Sequence, residues 1–401
     1  MTTTINNEHK KLNVPNLRFP EFQGEWEKFK LSDLCTFFSG GTPSSSNKDF
    51  YGGDIAFIRS GELHADSTEL FISQDGYDNS SAKMVEIGDL LLAMYGATSG
   101  DIAISKIKGA INQAILCIRT NQNKKFIESV WNKHVSKILR KYLQGGQGNL
   151  SADIVKGISF SFPTLEEQER IANLISLLDE RIATQNKVID KLQSLIKGLN
   201  DTLYAQHSDE VMTSFAELGT SYSGLSGKSA QDFGSGKPFI TYLNVYSNNI
   251  INKNDFQYVA IKDGEKQNIV EYGDVLFTLS SETPNEVGIG SVFLGKEKVY
   301  LNSFCFGIHI TNKEVAFSPY LSYYVSSTAF RKFIYPYAQG STRFNLCKAD
   351  FEKASIKLPT LENQKRIYSI LSHIDNKIIT ERQMLDLYNF QKQYLLRQMF
   401  I

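Results

Sequence analysis

The sequence predicts an α+β protein made by internal duplication: two tandem domains of mixed strands and helices, separated by two long helices that form an antiparallel coiled coil about a pseudo-two-fold axis. Three observations carry this expectation. Residues 163–182, P-T-L-E-E-Q-E-R-I-A-N-L-I-S-L-L-D-E-R-I, are answered 196 positions later by residues 359–378, P-T-L-E-N-Q-K-R-I-Y-S-I-L-S-H-I-D-N-K-I. Behind each copy, one face recurs at alternating spacings of four and three, the heptad pattern of helices that pack on one another. The elements ahead of the first long helix also recur, in the same order, ahead of the second.

In chain order, residues 1–25 are a lead-in, and the extended run over 13–34 is punctuated by Pro15, Pro20 and Gly24. The first domain, 26–162, begins near Trp26. A Gly/Ser/Asn loop from residue 39 leads into a strand at 55–59, I-G-D-L-L-L-A-M-Y-G (87–96) turns into a buried strand, and 111–119 is another. Residues 124–143 read as an amphipathic helix with Ile127, Trp131, Val135, Ile138 and Tyr142 on one face. Lys124, Lys125, Lys133, Lys137, Arg140 and Lys141 stand there against a single Glu128. A polar loop, Q-G-G-Q-G-N (144–149), follows, and the alternation of Ile158, Phe160 and Phe162 marks the strand that delivers the chain to the first long helix.

That helix, 163–207, opens on Thr164, which has Glu167 three residues on and so predicts a capping box. Thr360 has Asn363 at the same place and keeps only the cap. The first seam runs Ile171, Ile175, Leu178, Ile182, Gln185, Ile189 and on to Leu203. The second domain, 208–358, repeats the first: Ser39-Gly40 is answered by Ser223-Gly224, Phe57-Ile58 by Phe239-Ile240, and Gly88-Asp89 by Gly273-Asp274. A helix over 318–335 stands where the basic helix stood, and Q-G-S-T-R-F-N-L (339–346) stands where Q-G-G-Q-G-N-L stood. The second long helix, 359–401, carries its seam on Ile367, Leu371, Ile374, Ile378, Glu381 and Leu385, through to Met399. The polar Gln185 and Glu381 are the matching residues near the two centres.

A long helix with one apolar seam must bury that face, and its own repeat is the natural partner. The seam from Ile171 to Leu203 amounts to roughly 48 Å. Two unequal recognition surfaces joined by such a pair suit a double-helical target with two unequal halves, the rod equalling roughly 14 base pairs at most. Short polar side chains in turns can read base edges, and lysines on a helix can neutralise phosphates. The candidates for one half are Thr42, Ser44, Ser46, Asn47, Arg59, Gln144, Gln147 and Asn149, with Lys133, Lys137 and Lys141 on the backbone. For the other half they are Tyr242, Asn244, Gln339, Ser341, Arg343 and Asn345. Taken singly, such loops are ordinary turn chemistry and a lysine face is usually only solvated.

Composition excludes other classes. Lysine plus arginine equals aspartate plus glutamate at 43 each, so the chain is neutral overall. No apolar run is long enough to cross a bilayer and Met1–Lys10 is polar, so a cytoplasmic location is expected. The four cysteines are far apart, which suits free thiols, and the six histidines are scattered, so neither a metal site nor a disulfide frame is expected. No N-P-P-[YFW] methyltransferase motif, H-E-x-x-H or full phosphate loop occurs; G-L-S-G-K-S (224–229) is too short between its glycines. No catalytic residue is expected.

These residues resemble the specificity subunit of type I restriction–modification systems. The resemblance rests on L-R-F-P-E-F-x-G-E-W (17–26), on G-G-T-P-S (40–44) with Y-G-G-D-I-x-F-I (51–58), and twice on P-T-L-E-x-Q-x-R-I. The second domain departs from it, reading S-G-L-S-G at 223–227 where the first has G-G-T-P-S. The resemblance implies two target recognition domains that each read half of a bipartite double-stranded DNA site. It also implies helices that fix the gap and dock partners. Those partners would be two modification subunits that methylate adenine with S-adenosylmethionine, and up to two ATP-driven, Mg-dependent restriction subunits. The chain itself would bind no cofactor. Two other readings compete: a protein-interaction scaffold, whose DNA binding would not sharpen with sequence when partners are added, and a self-contained modification enzyme, against which the missing N-P-P motif counts.

Overall fold

The computed structural model describes residues 12–142, 150–205 and 210–401. The chain forms two compact units: residues up to Asn186 together with Met384–Ile401, and Lys187–Gln383. Each long helix, Leu165–Ala205 and Leu361–Gln398, contributes one part to each unit.

The central sheet of the first unit runs in the order Cys35–Ser39, Ile115–Thr120, Leu90–Ala93, Ile102–Ile104, antiparallel throughout. Its middle strands are apolar and buried over Leu90–Ala93 and residues 115–118 because both faces are covered there, and successive side chains point to opposite sides. Leu90, Leu92, Leu116 and Ile118 pack on one side with Phe126, Val130 and Trp131 of the helix Lys124–Tyr142. Leu91, Ala93, Ile115 and Cys117 pack on the other with Ile58, Val85 and Ile111 of a second sheet. That second sheet has the order Phe71–Ile72, Tyr51–Ile58, Gly109–Ile111, Lys83–Val85, with one parallel pairing, Phe57 to Ala110.

The second unit repeats this plan. Its central sheet runs Gly219–Ser223, Cys305–Ile310, Val275–Thr278, Gly290–Val292, again antiparallel. Its parallel pairing is Phe239 to Tyr300. The strands that recur along the sequence therefore take equivalent places in the two central sheets. One helix departs from expectation: the run over 318–335 is two helices, Ser318–Tyr324 and Thr328–Ile334. Ser326 and Ser327 cause the break, since their hydroxyls donate to the carbonyls of Tyr323 and Tyr324 and Ser327 caps the next helix at Phe330 N–H. Serines that bond local backbone in this way compete with helix continuation.

The extended run over 13–34 includes a strand at Glu27–Lys30, paired with Ser159–Phe162, and departs from expectation in the short helix Leu31–Leu34. Its R-F-P-E-F stretch clamps the first long helix. Arg18 Nε and Nη2 donate to the two oxygens of Glu167, each at 2.8 Å, and Trp26 Nε1 donates to the same carboxylate at 3.3 Å. Glu167 is 1% exposed. The expected capping box is thus only half present: Thr164 accepts from Glu167 N–H at 3.4 Å, but the Glu167 carboxylate is held by the lead-in.

The repeated P-T-L-E-x-Q has a physical reason in its glutamine. Gln168 accepts from Asn123 N–H and donates to Pro163 O and Gln122 Oε1. Gln364 accepts from Phe317 N–H at 2.8 Å and donates to Val315 O at 2.7 Å and Pro359 O at 2.8 Å. Both are buried. One amide therefore satisfies the backbone where the helix start, the strand before it and the preceding helical segment converge.

Within each unit the two long helices run antiparallel. In the first, Asp179 pairs with Lys392 at 2.6 Å and Arg181 lies over the Tyr388 ring at 5.4 Å, while Ile171 and Ile175 share a core with Leu395 and Met399. Asp179 also holds Lys125 at 2.8 Å. Burial pushes its carboxyl up, but hydrogen bonds from Lys125 and Lys392 outweigh this and hold it below the usual carboxylate range. In the second unit, Ile367 and Leu371 share a core with Ile196, Leu199 and Leu203. Ile171, Ile175, Leu178, Ile189, Ile367, Leu371 and Ile378 are buried; Ile182, Gln185, Ile374, Glu381 and Leu385 are half-buried. Glu381 takes an ion pair from Lys377 one turn away.

Gln364→Leu leaves the Phe317 N–H and two buried carbonyls without this partner and should lower unfolding free energy by about 3 kcal/mol. Glu362→Ala, exposed on the same turn, should change it by less than about 0.5 kcal/mol. Denaturant unfolding of the two variants checks this, and equal stability of both would remove the anchoring role.

Candidate nucleic-acid interface

In the first unit the Gly40-Gly41 turn is pressed onto the strand Gly109–Ile111: a Cβ on Gly40 would fall 1.8 Å from Ile111 O. Gly224, its counterpart, would place one 2.0 Å from Asn302 O. These glycines serve close backbone approach. The loop beyond presents Thr42, which donates to Gln113, and a Ser44–Ser46 hydroxyl pair at 2.7 Å. Asn47 is turned inward to cap Asp49 N–H at 3.1 Å. Arg59 forms a two-bond ion pair with Glu62, at 2.8 and 3.2 Å. That hydrogen bond holds Glu62 below the usual carboxylate range. His64 faces Asp101 at 2.9 Å nearby. Gln144, Gln147 and Asn149 lie outside the described residues.

The basic helix is more engaged than its composition suggested. Lys124 donates to Gly88 O at 2.6 Å and pairs with Asp89, and Lys125 pairs with Glu128 and Asp179. Lys133 donates to the carbonyls of Arg397 and Phe400, completing the end of the second long helix, and burial lowers its pKa. Lysine at a helix C-terminus satisfies orphan carbonyls. Lys133 is therefore a helix cap, which corrects its reading as a phosphate contact. Lys137 and Lys141 remain exposed, the latter 5.0 Å over the Tyr142 ring.

The second unit gathers its candidates around a cleft of about 770 Å³ lined in part by Tyr242, Tyr246, Ser280, Phe304 and Arg343. A small sheet orders Ser280–Ser281, Phe344–Leu346 and Ala338–Gln339 and pairs Asn345 with Ser280 and with Gln339; its Ser280 and Ser281 line the cleft. Gln339, Ser341, Arg343 and Asn345 are all exposed there. Tyr242 donates to Ser280 O at 2.8 Å and stacks on Tyr246 at 6.0 Å. Tyr246 donates to Glu286 at 2.7 Å, which raises its own pKa. Asn244 does not belong to this surface: it is 2% exposed, and its amide holds Asn248 and Asn252. Its reading as a base reader is corrected to a loop brace.

Three further features resolve into structure. Lys228 of G-L-S-G-K-S is buried against Glu265 and Ala260 O, so no phosphate cradle forms. Asp89 and Asp274 close equivalent Gly-Asp turns, Asp89 on Arg119 at 2.8 Å and Asp274 on His309 at 2.9 Å and Tyr222 at 2.6 Å. Cys35, Cys117, Cys305 and Cys347 are free, and burial pushes the Cys117 thiol up to about 12. Among the described residues no group of three His, Cys, Asp or Glu side chains could hold a metal, and no helix is long and apolar enough to cross a membrane. Sequence reasoning missed Tyr246, Glu282, Glu286 and Phe304; the Tyr242/Tyr246 spacing of one helical turn was the available signal.

Comparison with known proteins gives one answer. The domain described as "Type I restriction modification DNA specificity domain" matches residues 23–194 and again 223–387. The protein assigned as the MjaX type I restriction enzyme specificity subunit of Methanocaldococcus jannaschii is 25% identical, over 94% of this chain and 92% of that one. The MjaVIII specificity subunit of the same organism is 23% identical, over 92% and 89%. In fold, the chain is similar to the type I restriction-modification S subunit from M. genitalium, with a TM-score of 0.55 at 15% identity, covering 97% of this chain and 99% of that chain.

Replacing Lys137 and Lys141 together by glutamine should weaken binding to all DNA sequences alike and reduce the salt slope of log K by about two. Lys133→Ala should instead lower thermal stability. Titrations across salt concentration check this, and an unchanged slope for the double variant would mark those lysines as merely solvated.

Proposed function

Because this chain belongs to the family of type I restriction–modification specificity subunits, we propose that it selects the DNA sequence on which such a system acts and leaves the chemistry to partner chains. The observation that carries this reading is the double match of the specificity domain, at residues 23–194 and 223–387, to repeats with one strand order and different polar surfaces. Each repeat reads one half of a bipartite double-stranded target. The first offers hydroxyls and amides on a loop; the second offers a cleft with an arginine. Readers of different chemistry select unequal half-sites.

The long helices set the number of unread base pairs and dock the partners. Those are two modification subunits, which transfer a methyl group from S-adenosylmethionine to adenine, and up to two restriction subunits driven by ATP with Mg. Their cofactors belong to them, and this chain contributes sequence choice in the cytoplasm. Lys137 and Lys141 add a modest phosphate grip, and a chain neutral overall leaves the larger share to its partners.

Inserting one heptad after Gln185 and one after Glu381 preserves both seams. It adds roughly 10 Å of helix, or about 3 base pairs. Methylation mapping with the lengthened chain should return the same half-site sequences with a longer preferred gap. The original gap, with no preference for a longer one, would contradict the role of the helices.

A further inference from the structure

The cleft of the second unit carries three charged side chains: Glu282, Glu286 and Arg343. Glu286 is satisfied internally, accepting from Tyr246 at 2.7 Å, Thr283 at 2.8 Å and Ser281 at 3.1 Å, and these bonds hold it below the usual carboxylate range. Glu282 and Arg343 are different. Neither forms an ion pair or a hydrogen bond with another side chain or backbone group among the described residues, and both are exposed. The Arg343 guanidinium rests 5.9 Å over the Phe304 ring, and that ring is 56% exposed. Two charges of opposite sign, neither in an ion pair, therefore share one cleft with aromatic walls.

Charge balance decides what such a cleft takes. One cation beside two carboxylates repels a phosphate, so the occupant is a base edge rather than the DNA backbone. In the major groove only a G·C pair presents two adjacent acceptors, guanine O6 and N7, beside a lone amino donor, cytosine N4. We propose that this cleft reads one G·C pair in one orientation: Arg343 donates to O6 and N7 of guanine, and Glu282 accepts from the N4 amino group of its cytosine. The stacked Tyr242–Tyr246 pair and Phe304 flank both contacts. An A·T pair would set the adenine amino group against the guanidinium. An inverted pair would set the amino donor on Arg343 and the acceptors on Glu282. Both are rejected by like-sign contacts.

The assignment rests on the reading that the second repeat selects a half-site, and the test separates the two. The full chain, purified from its own cells with the subunits it carries, is assayed on its target DNA and on DNA with 7-deazaguanine at each guanine of the second half-site in turn. One such replacement should weaken binding on the order of tenfold or more. Arg343→Ala should abolish sensitivity to that replacement alone, and Arg343→Ala with Glu282→Ala should accept any base pair there while keeping every other position of both half-sites. Because the analogue changes the DNA and not the protein, folding does not enter the first of these comparisons, and the undisturbed other positions report that the variants fold. If the complex selects a sequence but no 7-deazaguanine matters, or if Arg343→Ala weakens all sequences equally, the G·C assignment is wrong and the functional reading stands. If the complex selects no sequence at all, both fall.

Discussion

A single buried amide docks each long helix onto its own domain, and the rest of each repeat depends on that contact. A helix start leaves backbone N–H groups unsatisfied, and a strand that ends against it leaves carbonyls. Gln168 and Gln364 answer both needs at once, accepting from Asn123 or Phe317 and donating to Pro163 or Pro359. With the first turn fixed, the seam residues one and two turns on, Ile171 and Ile175 or Ile367 and Leu371, enter the domain core rather than solvent. The helix direction is then set by its domain, and the seam beyond meets the other helix.

Upon this shared frame the two repeats differ where side chains face outward. The central sheets have the same strand order, and the same Gly-Asp turn closes both, yet its aspartate pairs with Arg119 in one repeat and His309 in the other. The loop that carries Thr42, Ser44 and Ser46 is answered by S-G-L-S-G at 223–227, which lacks that threonine, and the second repeat presents the Tyr242–Ser247 helix and the hairpin around Arg343 as well. Duplication followed by divergence of outward positions preserves packing, since core volume and pattern are what the fold requires. Each repeat can then hold a different target chemistry on unchanged support.

The seams were legible because periodicity is a property of sequence: Ile171, Leu178, Ile378 and their neighbours fall on the buried face for the reason that their spacing matches a helical turn. The repeated strand order was legible for a similar reason, through alternating or continuous apolar runs. What remained hidden depends on partners distant in the chain. Nothing local distinguishes Lys133, held by carbonyls at residues 397 and 400, from Lys137, which stays exposed. Asn244 looks like a loop reader until Asn252 folds back onto it. Glu167 suits a capping box until Arg18 takes its carboxylate, and Tyr246 gains its partner Glu286 from 40 residues on. Charge and polarity name candidates; only the fold tells which of them are already engaged.

The central claim is that one chain reads two unequal half-sites through two repeats. The most direct measurement is a genome-wide map of methylated adenines in cells with and without this gene. The account predicts that its loss removes methylation from one bipartite motif, two different short sequences flanking a fixed run of unspecified bases. Methylation lost from a single continuous motif, or an unchanged map in cells whose modification subunits are otherwise active, would contradict it.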